Sequence, residues 1–278
     1  MKLDLLNQQL EYFSTNSQKI EVDNLGKNQE LENEITNKIE NELSTFSESL
    51  ISNIEQKFEN QFLQYESLLQ LYNSLPNLKF LPPTRGWAGS PDFLAKIAEV
   101  ISIEKPRFIM EASSGVSTLV IGLALKMNNF GKSISFDHDS TYARKTTQNI
   151  KINEIIDFSI VKHCPLINYN EVEQSWKWYD THNLEFKDKI DILIIDGPPR
   201  TTQFLARYPA VPLLYKHFAD RTLILLDDAN RNDEVIIIQK WIDFLENNNF
   251  EVVVSNFNNF EKGLVILEVC KCGKPHNT

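Results

Sequence analysis

The stretch FIMEASSGVST, residues 108–118, decides the fold. Its apolar run ends in a carboxylate and is followed by small and hydroxyl-bearing residues, which are Glu111, Ser113, Ser114, Gly115, Ser117 and Thr118. Small residues let the backbone approach a ligand, and the first turn of a helix presents free N–H groups. The stretch therefore predicts a strand, a ligand-binding turn and a helix, although an ordinary strand–turn–helix junction would have a similar sequence.

The carboxylate of Glu111 indicates what the turn would bind. A dinucleotide-binding turn needs the pattern G-x-G-x-x-G to approach a pyrophosphate, and residues 108–118 lack it. A carboxylate at this point suits an ammonium group instead. The sequence thus favours a ligand that carries an amine over one that carries a diphosphate.

Outward from this stretch, short apolar runs alternate with helical patterns, which is typical of a parallel sheet covered on both faces. The predicted strands are 107–111, 133–137, 158–161, 190–196, 222–227, 251–255 and 264–269. The predicted helices are 91–104, 117–128, 140–151, 201–218 and 232–248. We therefore expect an α/β fold with a doubly wound, mostly parallel seven-stranded sheet, whose last two strands form an antiparallel hairpin.

The second predicted strand also ends in polar residues, Asp137 and His138. Doubly wound folds place a carboxylate about 20 residues beyond the first turn, where it binds the hydroxyls of a ribose. An isolated aspartate here is often only a helix cap. Together with Glu111, however, Asp137 predicts a nucleoside site, to which we assign His138 as well.

Three further carboxylates lie at the carboxyl ends of the predicted strands 190–196 and 222–227, namely Asp196, Asp227 and Asp228. Like charges at one sheet edge raise one another's pKa unless a cation lies among them. Oxygen ligands suit Mg²⁺, so the trio predicts a magnesium site. The alternative is that Asp228 caps the next helix and Arg231 neutralises the cluster.

The order E-x-S-S-G-x-S-T, F-D-H-D, I-D-G-P-P and L-D-D-A-N-R resembles the class I S-adenosylmethionine-dependent methyltransferases. Within them it is similar to the branch of catechol O-methyltransferase-like and macrolide-sugar O-methyltransferases. The resemblance covers about residues 80–270. It implies that Glu111 and the 113–115 loop bind the methionine end of the cofactor, that Asp137 binds its ribose, and that the aspartate trio binds the metal. Ser113 departs from the family, which usually has glycine there.

The implied reaction is an in-line methyl transfer to an oxygen, for which the enzyme supplies positioning and a deprotonated nucleophile. Asp196 is the first candidate for a combined role as metal ligand and general base, and His163 and His182 are weaker candidates. Segment 165–189 is rich in aromatic residues and has two interpretations, a part of the ligand pocket or a helix packed on the sheet. Trp87 has the same two interpretations.

Residues 1–75 follow a different pattern, with apolar side chains every three or four positions from Leu31 to Tyr72. This periodicity predicts a long helix with a narrow apolar stripe, which must be covered by something. The stripe at residues 31–72 either forms a coiled-coil contact between copies of the chain or folds back on its own domain. We expect a helical segment 1–75, a methyltransferase domain 76–270 and a tail 271–278.

Composition restricts the partners. The chain has a formal net charge of -10, which disfavours nucleic-acid binding because a phosphate surface would repel it. Its three cysteines and the absence of a signal-peptide pattern indicate a reducing, cytoplasmic setting, and no apolar run is long enough for a membrane span.

The main functional hypothesis is a Mg²⁺-assisted O-methyltransferase that acts on a sugar, a polysaccharide or another small hydroxylated acceptor. A metal-independent methyltransferase of another acceptor class is the first alternative. An inactive methyltransferase-fold scaffold that oligomerises through its N-terminal helix is the second.

Overall fold

The computed structural model describes residues 2–170, 175–182, 184 and 187–273. Its α-helices are α1 Lys2–Ser74, α2 Pro91–Glu104, α3 Val116–Asn128, α4 Ser140–Ile152, α5 Ala210–Leu214 and α6 Asn232–Asn247. Its strands are β1 Phe108–Ala112, β2 Lys132–Asp137, β3 Ser159–His163, β4 Leu166–Tyr169, β5 Trp176–Tyr179, β6 Ile190–Ile195, β7 Phe218–Asp227, β8 Phe250–Phe257 and β9 Leu264–Lys271. Of the predicted tail 271–278, residues 274–278 lie outside the described residues.

Seven of these strands form one sheet in the order β3-β2-β1-β6-β7-β9-β8. The pairs β1–β2, β2–β3, β1–β6 and β6–β7 are parallel, whereas β7–β9 and β8–β9 are antiparallel. The chain winds outward from β1 to β3 and then returns to start again at β6, so the topological switch point lies between β1 and β6. This confirms the predicted doubly wound, mostly parallel sheet and its terminal hairpin.

The apolar composition of the central strands follows from burial on both faces of the sheet. Successive side chains of a strand point to opposite faces. Accordingly, Leu193 and Ile195 of β6 belong to one buried hydrophobic cluster, and Ile192 and Ile194 belong to the other. A parallel sheet covered on both sides needs such continuous apolar runs, and this packing fixes the strand ends that carry the polar residues.

The predicted helix 201–218 is wrong. The segment instead contains a 3₁₀ turn at Arg200–Thr202, the short helix α5 and a second 3₁₀ turn at Tyr215–His217. Two prolines explain the difference, because Pro209 and Pro212 have no N–H to donate along a continuous helix.

The helical interpretation of segment 165–189 is wrong as well. Strands β4 and β5 pair there as an antiparallel two-stranded sheet, with Leu166 opposite Tyr179 and Tyr169 opposite Trp176. Aromatic residues favour extended backbone, where they pack against the covered face of a strand. The indoles of Trp176 and Trp178 are buried as a result.

By its internal contacts the chain divides into two compact units, Met1–Glu59 and Asn60–Thr278. The first unit is helical throughout its described residues, which confirms the predicted long N-terminal helix. In the second unit, Leu71 and Leu75 are buried in the core, and Gln64 Nε2 donates to Asp92 Oδ2 at 2.7 Å. No helix in the described part of the chain is both long enough and apolar enough to cross a bilayer.

Candidate active site

A cavity of about 560 Å³ opens within the second unit, at the carboxyl ends of the central strands. It lies where the sheet topology predicts a ligand site, beside the switch point between β1 and β6. Its lining residues are Gly86, Trp87, Ser113, Ser114, Asp137, His138, Asp139, Tyr142, Tyr179, Asp196, Gly197, Pro199, Arg200, Thr201, Arg207, Asp228, Arg231 and Lys262.

The turn after β1 is tied to β2 by its backbone and its side chains. Ser113 N donates to Phe136 O at 3.1 Å, and Ser114 Oγ donates to Asp137 Oδ2 at 2.5 Å. Ser113 has a φ of 131°, a conformation that favours glycine. Ser113 therefore adopts a glycine-type backbone conformation at the expense of local strain.

Glu111 is fully buried at the end of β1 and does not line the cavity. Its Oε2 accepts hydrogen bonds from Ser135 Oγ and Thr118 Oγ1, whereas its Oε1 is buried without a hydrogen-bond partner among the described residues. Burial raises the pKa of Glu111, and the neighbouring hydroxyl groups of Ser117, Ser135 and Thr118 oppose the shift. One carboxylate oxygen thus stays available for a cationic group.

Asp137 and His138 both line the cavity, as the sequence predicts for a nucleoside site. Asp137 Oδ1 accepts from the backbone N–H of Asp139 at 2.9 Å, which fixes the carboxylate at the end of β2. Asp139 in turn caps α4 by accepting from Thr141 N at 2.6 Å. The neighbouring Tyr142 is largely exposed and adds an aromatic ring to this side of the cavity.

Gly197, which follows β6, lines the cavity at a point where no larger residue fits. A Cβ at this position would clash with the hydroxyl of Tyr179, and it would lie 3.3 Å from Ala112 O. Burial raises the pKa of Tyr179 well above its ordinary value, and Asp137 and Asp196 add to the shift. Tyr179 is therefore a neutral hydrogen-bond donor, and it is the part of the aromatic segment that reaches the cavity.

The aspartate trio comes together as predicted, with one oxygen each of Asp196, Asp227 and Asp228 within 4.8 Å of one another. Burial raises the pKa of Asp196 to about 6 and the pKa of Asp227 well above its ordinary value. Asp227 Oδ2 and Asp228 Oδ1 are buried without a hydrogen-bond partner among the described residues. Unpaired buried carboxylate oxygens are costly unless a cation accompanies them, so this donor set fits a divalent ion such as Mg²⁺.

A buried arginine that the sequence analysis missed donates hydrogen bonds to all three aspartates. Arg207, only 3% exposed, donates through Nη2 to Asp228 Oδ2 at 2.6 Å and to Asp196 Oδ1 at 3.3 Å. Its Nη1 donates to the backbone oxygen of Asp227 at 2.7 Å. The signal for this role was a single charge inside the apolar segment 204–214, because a buried charge needs partners.

Two more basic residues approach the trio. Arg231 Nη1 lies 2.7 Å from Asp228 Oδ2, which is the neutralising contact that the alternative interpretation expected. Asp228 does not cap α6, whose N-cap residue is Arg231. The Asp228 backbone has a φ of 59°, a left-handed conformation that aspartate tolerates better than most residues. Lys262 Nζ donates to Ala88 O at 3.0 Å and so ties the 86–88 loop to the cavity.

The predicted site residues divide into two groups. Those that line the cavity are Ser113, Ser114, Asp137, His138, Asp196 and Asp228. Those that do not line it are Gly115, which is half-buried, and the buried residues Glu111, Ser117, Thr118 and Asp227. The weaker base candidates His163 and His182 are not among the lining residues. Trp87 is 80% exposed and lines the cavity, so it belongs to the pocket and not to the core.

This chain is similar to known proteins in part of its sequence and in its fold. Residues 112–229 match the family model described as a methyltransferase domain. The O-methyltransferase from Bacillus cereus in complex with SAH is 14% identical, with 76% of this chain and 96% of that chain covered at a TM-score of 0.50. The O-methyltransferase TomG from Streptomyces achromogenes, involved in tomaymycin synthesis and solved with SAM, is 11% identical, with 78% and 99% covered at a TM-score of 0.53.

No curated protein matches the sequence. At these low identities the solved structures establish the fold and nothing finer. The second unit therefore has the Rossmann-like methyltransferase fold, and its cavity occupies the position at which folds of this type bind their ligands.

Proposed function

We propose that this chain, which contains a methyltransferase domain of the class I fold, transfers the methyl group of S-adenosylmethionine to a hydroxyl oxygen of a small acceptor. The observation that carries the proposal is the pairing of two carboxylate sites at one sheet edge. Glu111 and Asp137 suit the ammonium and ribose groups of the cofactor. Asp196 lies across the switch point from them, where an acceptor hydroxyl would be deprotonated.

Different residues would bind the methionine end and the ribose of the cofactor. The Ser113–Ser114 turn and the N–H groups at the start of α3 would bind the methionine end, and the free Oε1 of Glu111 would accept from its ammonium. Asp137 would accept from the ribose hydroxyls, with His138 beside it. When bound, S-adenosylmethionine supplies a methyl group that is already electrophilic on its sulfonium sulfur.

Asp196, Asp227 and Asp228 would bind Mg²⁺, for which the two unpaired buried oxygens are the support. When bound, the ion would lower the pKa of a coordinated acceptor hydroxyl. Asp196 lines the cavity and would accept the hydroxyl proton. Tyr179 stays protonated and would donate a hydrogen bond to a reacting oxygen.

A metal-independent transfer is the second candidate, and Arg207 is the observation that favours it. Its guanidinium already supplies a positive charge to Asp196 and Asp228. In that case Arg207 would hold Asp196 in place as the base without an ion. Activity that survives EDTA in full would identify this second mechanism.

The acceptor that we propose is a sugar, a saccharide or another small hydroxylated molecule. Tyr142, Tyr179 and Trp87 give the cavity aromatic faces, on which sugar and planar rings pack well. We also propose that the enzyme works in the cytoplasm, which the low cysteine count supports.

The first test is calorimetric titration of the purified chain with S-adenosylmethionine and S-adenosylhomocysteine, each with and without Mg²⁺. We expect micromolar binding of both, followed by turnover that needs Mg²⁺ in an acceptor screen. Absence of binding under every condition would refute the enzyme and favour the inactive scaffold.

We further propose that residues 31–72 join copies of the chain. Their apolar stripe, Leu31 to Tyr72, is between 44% and 68% exposed, and a surface of this kind needs a cover. Analytical ultracentrifugation should find an oligomer, and the triple change Ile35→Ser, Ile39→Ser and Leu43→Ser should yield a monomer that still binds the cofactor. A monomeric parent chain would contradict the contact.

A further inference from the structure

The lysine and arginine residues that line the cavity all lie on one side of it. On the side formed by the ends of β1 and β2 and the start of α4, the lining has two carboxylates, Asp137 and Asp139, and no lysine or arginine. The side formed by the loops after β6 and β7 and between β8 and β9 contains the carboxylates Asp196 and Asp228 together with all the lysine and arginine lining residues, which are Arg200, Arg207, Arg231 and Lys262. The sheet order places these sides on opposite flanks of the switch point.

The basic residues are not equally neutralised. Arg207 and Arg231 form ion pairs with Asp228 at 2.6 and 2.7 Å. Within the described part of the chain, no carboxylate lies within 4.0 Å of the side-chain nitrogens of Arg200 or Lys262. Lys262 instead donates to Ala88 O, and Arg200 is exposed at the end of β6. Arg200 and Lys262 therefore have no close ion pair, and Lys262 acts on Asp196 and Asp227 from a longer distance.

An exposed indole stands on the same side. Trp87 is 80% exposed on the loop that Lys262 anchors through Ala88. Leaving so large an apolar face in water costs free energy, which a ring stacked upon it would recover. Trp87 therefore offers a stacking surface in the cavity that Arg200 and Lys262 also line.

We propose that the acceptor is an anionic ring compound, which stacks on Trp87 and binds its carboxylate or phosphate to Arg200 and Lys262. The inference rests on the proposed methyltransferase function and specifies its acceptor class. Asp137 and Asp139 would repel such an anion, whereas Arg200 and Lys262 would attract it, so these two residues would position the acceptor in the part of the cavity that Asp196 also lines.

The local potential is measurable without knowing the acceptor. Trp176, Trp178 and Trp241 are at most 5% exposed, so collisional quenching of tryptophan fluorescence reports on Trp87. Because iodide is intrinsically the stronger quencher of indole, the ratio of iodide to caesium quenching is compared with that of the neutral compound N-acetyltryptophanamide. We expect the ratio of the protein to be at least twice that of this standard. Arg200→Gln should at least halve the ratio, whereas Arg144→Gln, an exposed arginine outside the cavity lining, should leave it unchanged. A ratio no higher than that of the standard would overturn the proposal.

Acceptor chemistry is tested next on the protein saturated with S-adenosylhomocysteine. Glucuronate, glucose 6-phosphate and glucose are added separately, and the concentration at which each protects Trp87 from quenching by iodide is measured. At least one acid should protect at tenfold lower concentration than glucose, and the better acid identifies carboxylate or phosphate. Protection by neither acid beyond that of glucose would overturn the proposal.

Calorimetry separates this failure from failure of the proposed function. Arg200→Gln should bind S-adenosylhomocysteine as the parent does, because Arg200 serves the acceptor. A loss of cofactor affinity in Arg200→Gln would overturn the acceptor assignment, since the arginine would then bind the cofactor's own carboxylate. A parent chain that binds no cofactor at all would refute the methyltransferase function instead.

Discussion

The two carboxylate sites at the cavity receive their hydrogen bonds from different kinds of donor. At the ends of β1 and β2, hydroxyl groups donate to the acids, as Ser135 and Thr118 do to Glu111 and as Ser114 does to Asp137. At the ends of β6 and β7, guanidinium groups donate to Asp196 and Asp228. Neutral donors leave the negative charge in place, whereas arginines cancel it. The first site can therefore attract a cationic cofactor, and the second can accept a proton beside a bound anion.

The largest expected effect concerns Asp196 at the second site. Asp196→Asn removes the proposed base but preserves the side chain's shape, so turnover should fall by about 10²–10⁴-fold. Affinity for S-adenosylhomocysteine should stay within twofold by calorimetry, because the cofactor binds the first site. Asp243→Asn, at an exposed aspartate outside the cavity lining, serves as the control. Full turnover in Asp196→Asn would exclude Asp196 from the mechanism.

Arg207 tests how the second site is neutralised. Arg207→Met leaves buried carboxylates without their partner, and breaking such a group costs about 3–5 kcal/mol of unfolding free energy. Arg221→Met is the matched control, since its contacts to Glu104 and Glu268 are more exposed and exposed pairs contribute about 1 kcal/mol or less. Urea denaturation measures both. Equal losses in the two variants would show that burial of Arg207 is not what makes it important.

If Arg207→Met is too unstable to purify, Arg207→Lys answers the same question. A lysine retains the charge but cannot donate to Asp196 and Asp228 in the forked geometry of a guanidinium. We expect an intermediate loss of stability.

Glu111 tests the first site. Glu111→Gln should weaken cofactor binding about 10- to 100-fold, because a hydrogen bond to a charged group contributes about 1.5–3 kcal/mol. Glu154→Gln, an exposed acid that pairs with Lys79, is the control. Unchanged affinity in Glu111→Gln would exclude Glu111 as the partner of the cofactor ammonium.

Glu111→Gln, which should weaken cofactor binding, should increase the stability of the protein at high pH. Because the pKa of Glu111 is raised in the folded protein, the folded chain holds this proton more tightly than the unfolded chain. The stability that this gives is present at low pH and is lost as pH rises through the raised pKa. The free energy of unfolding of Glu111→Gln, measured by urea denaturation, should therefore exceed that of the parent by more at pH 8 than at pH 5. If the difference in unfolding free energy between variant and parent became smaller as the pH rises, the raised pKa of Glu111 would be contradicted.

The smallest expected effect is at Ser113. Ser113→Gly relieves a backbone conformation that costs a non-glycine residue about 1–3 kcal/mol, while the added freedom of glycine in the unfolded chain opposes the gain by about 0.5–1 kcal/mol. We expect a small net rise in unfolding temperature. Ser114→Gly should instead lower it, since the hydrogen bond to Asp137 is lost. A lower unfolding temperature in Ser113→Gly would show that the turn is not strained.

The sequence alone determined the sheet and its edge. Apolar runs and helical periodicity are local properties, and they correctly predicted α2 at 91–104 and the seven strands within a few residues. Strand ends are also local, so Glu111, Asp137 and Asp196 could be found as the polar residues that follow buried runs. Where prolines interrupt the pattern, at Pro209 and Pro212, the periodicity misled.

Only the tertiary structure decided which charges meet. Arg207 is 20 residues from Asp227 in sequence, and its three-dimensional neighbours follow from how the irregular segment 200–217 packs. Trp87 and Lys262 come together from loops far apart in the chain through Ala88. Periodicity contains no information about such contacts, because loops are positioned by packing and not by a repeating pattern. The acids are therefore a property of the sequence, and their neutralisation is a property of the fold.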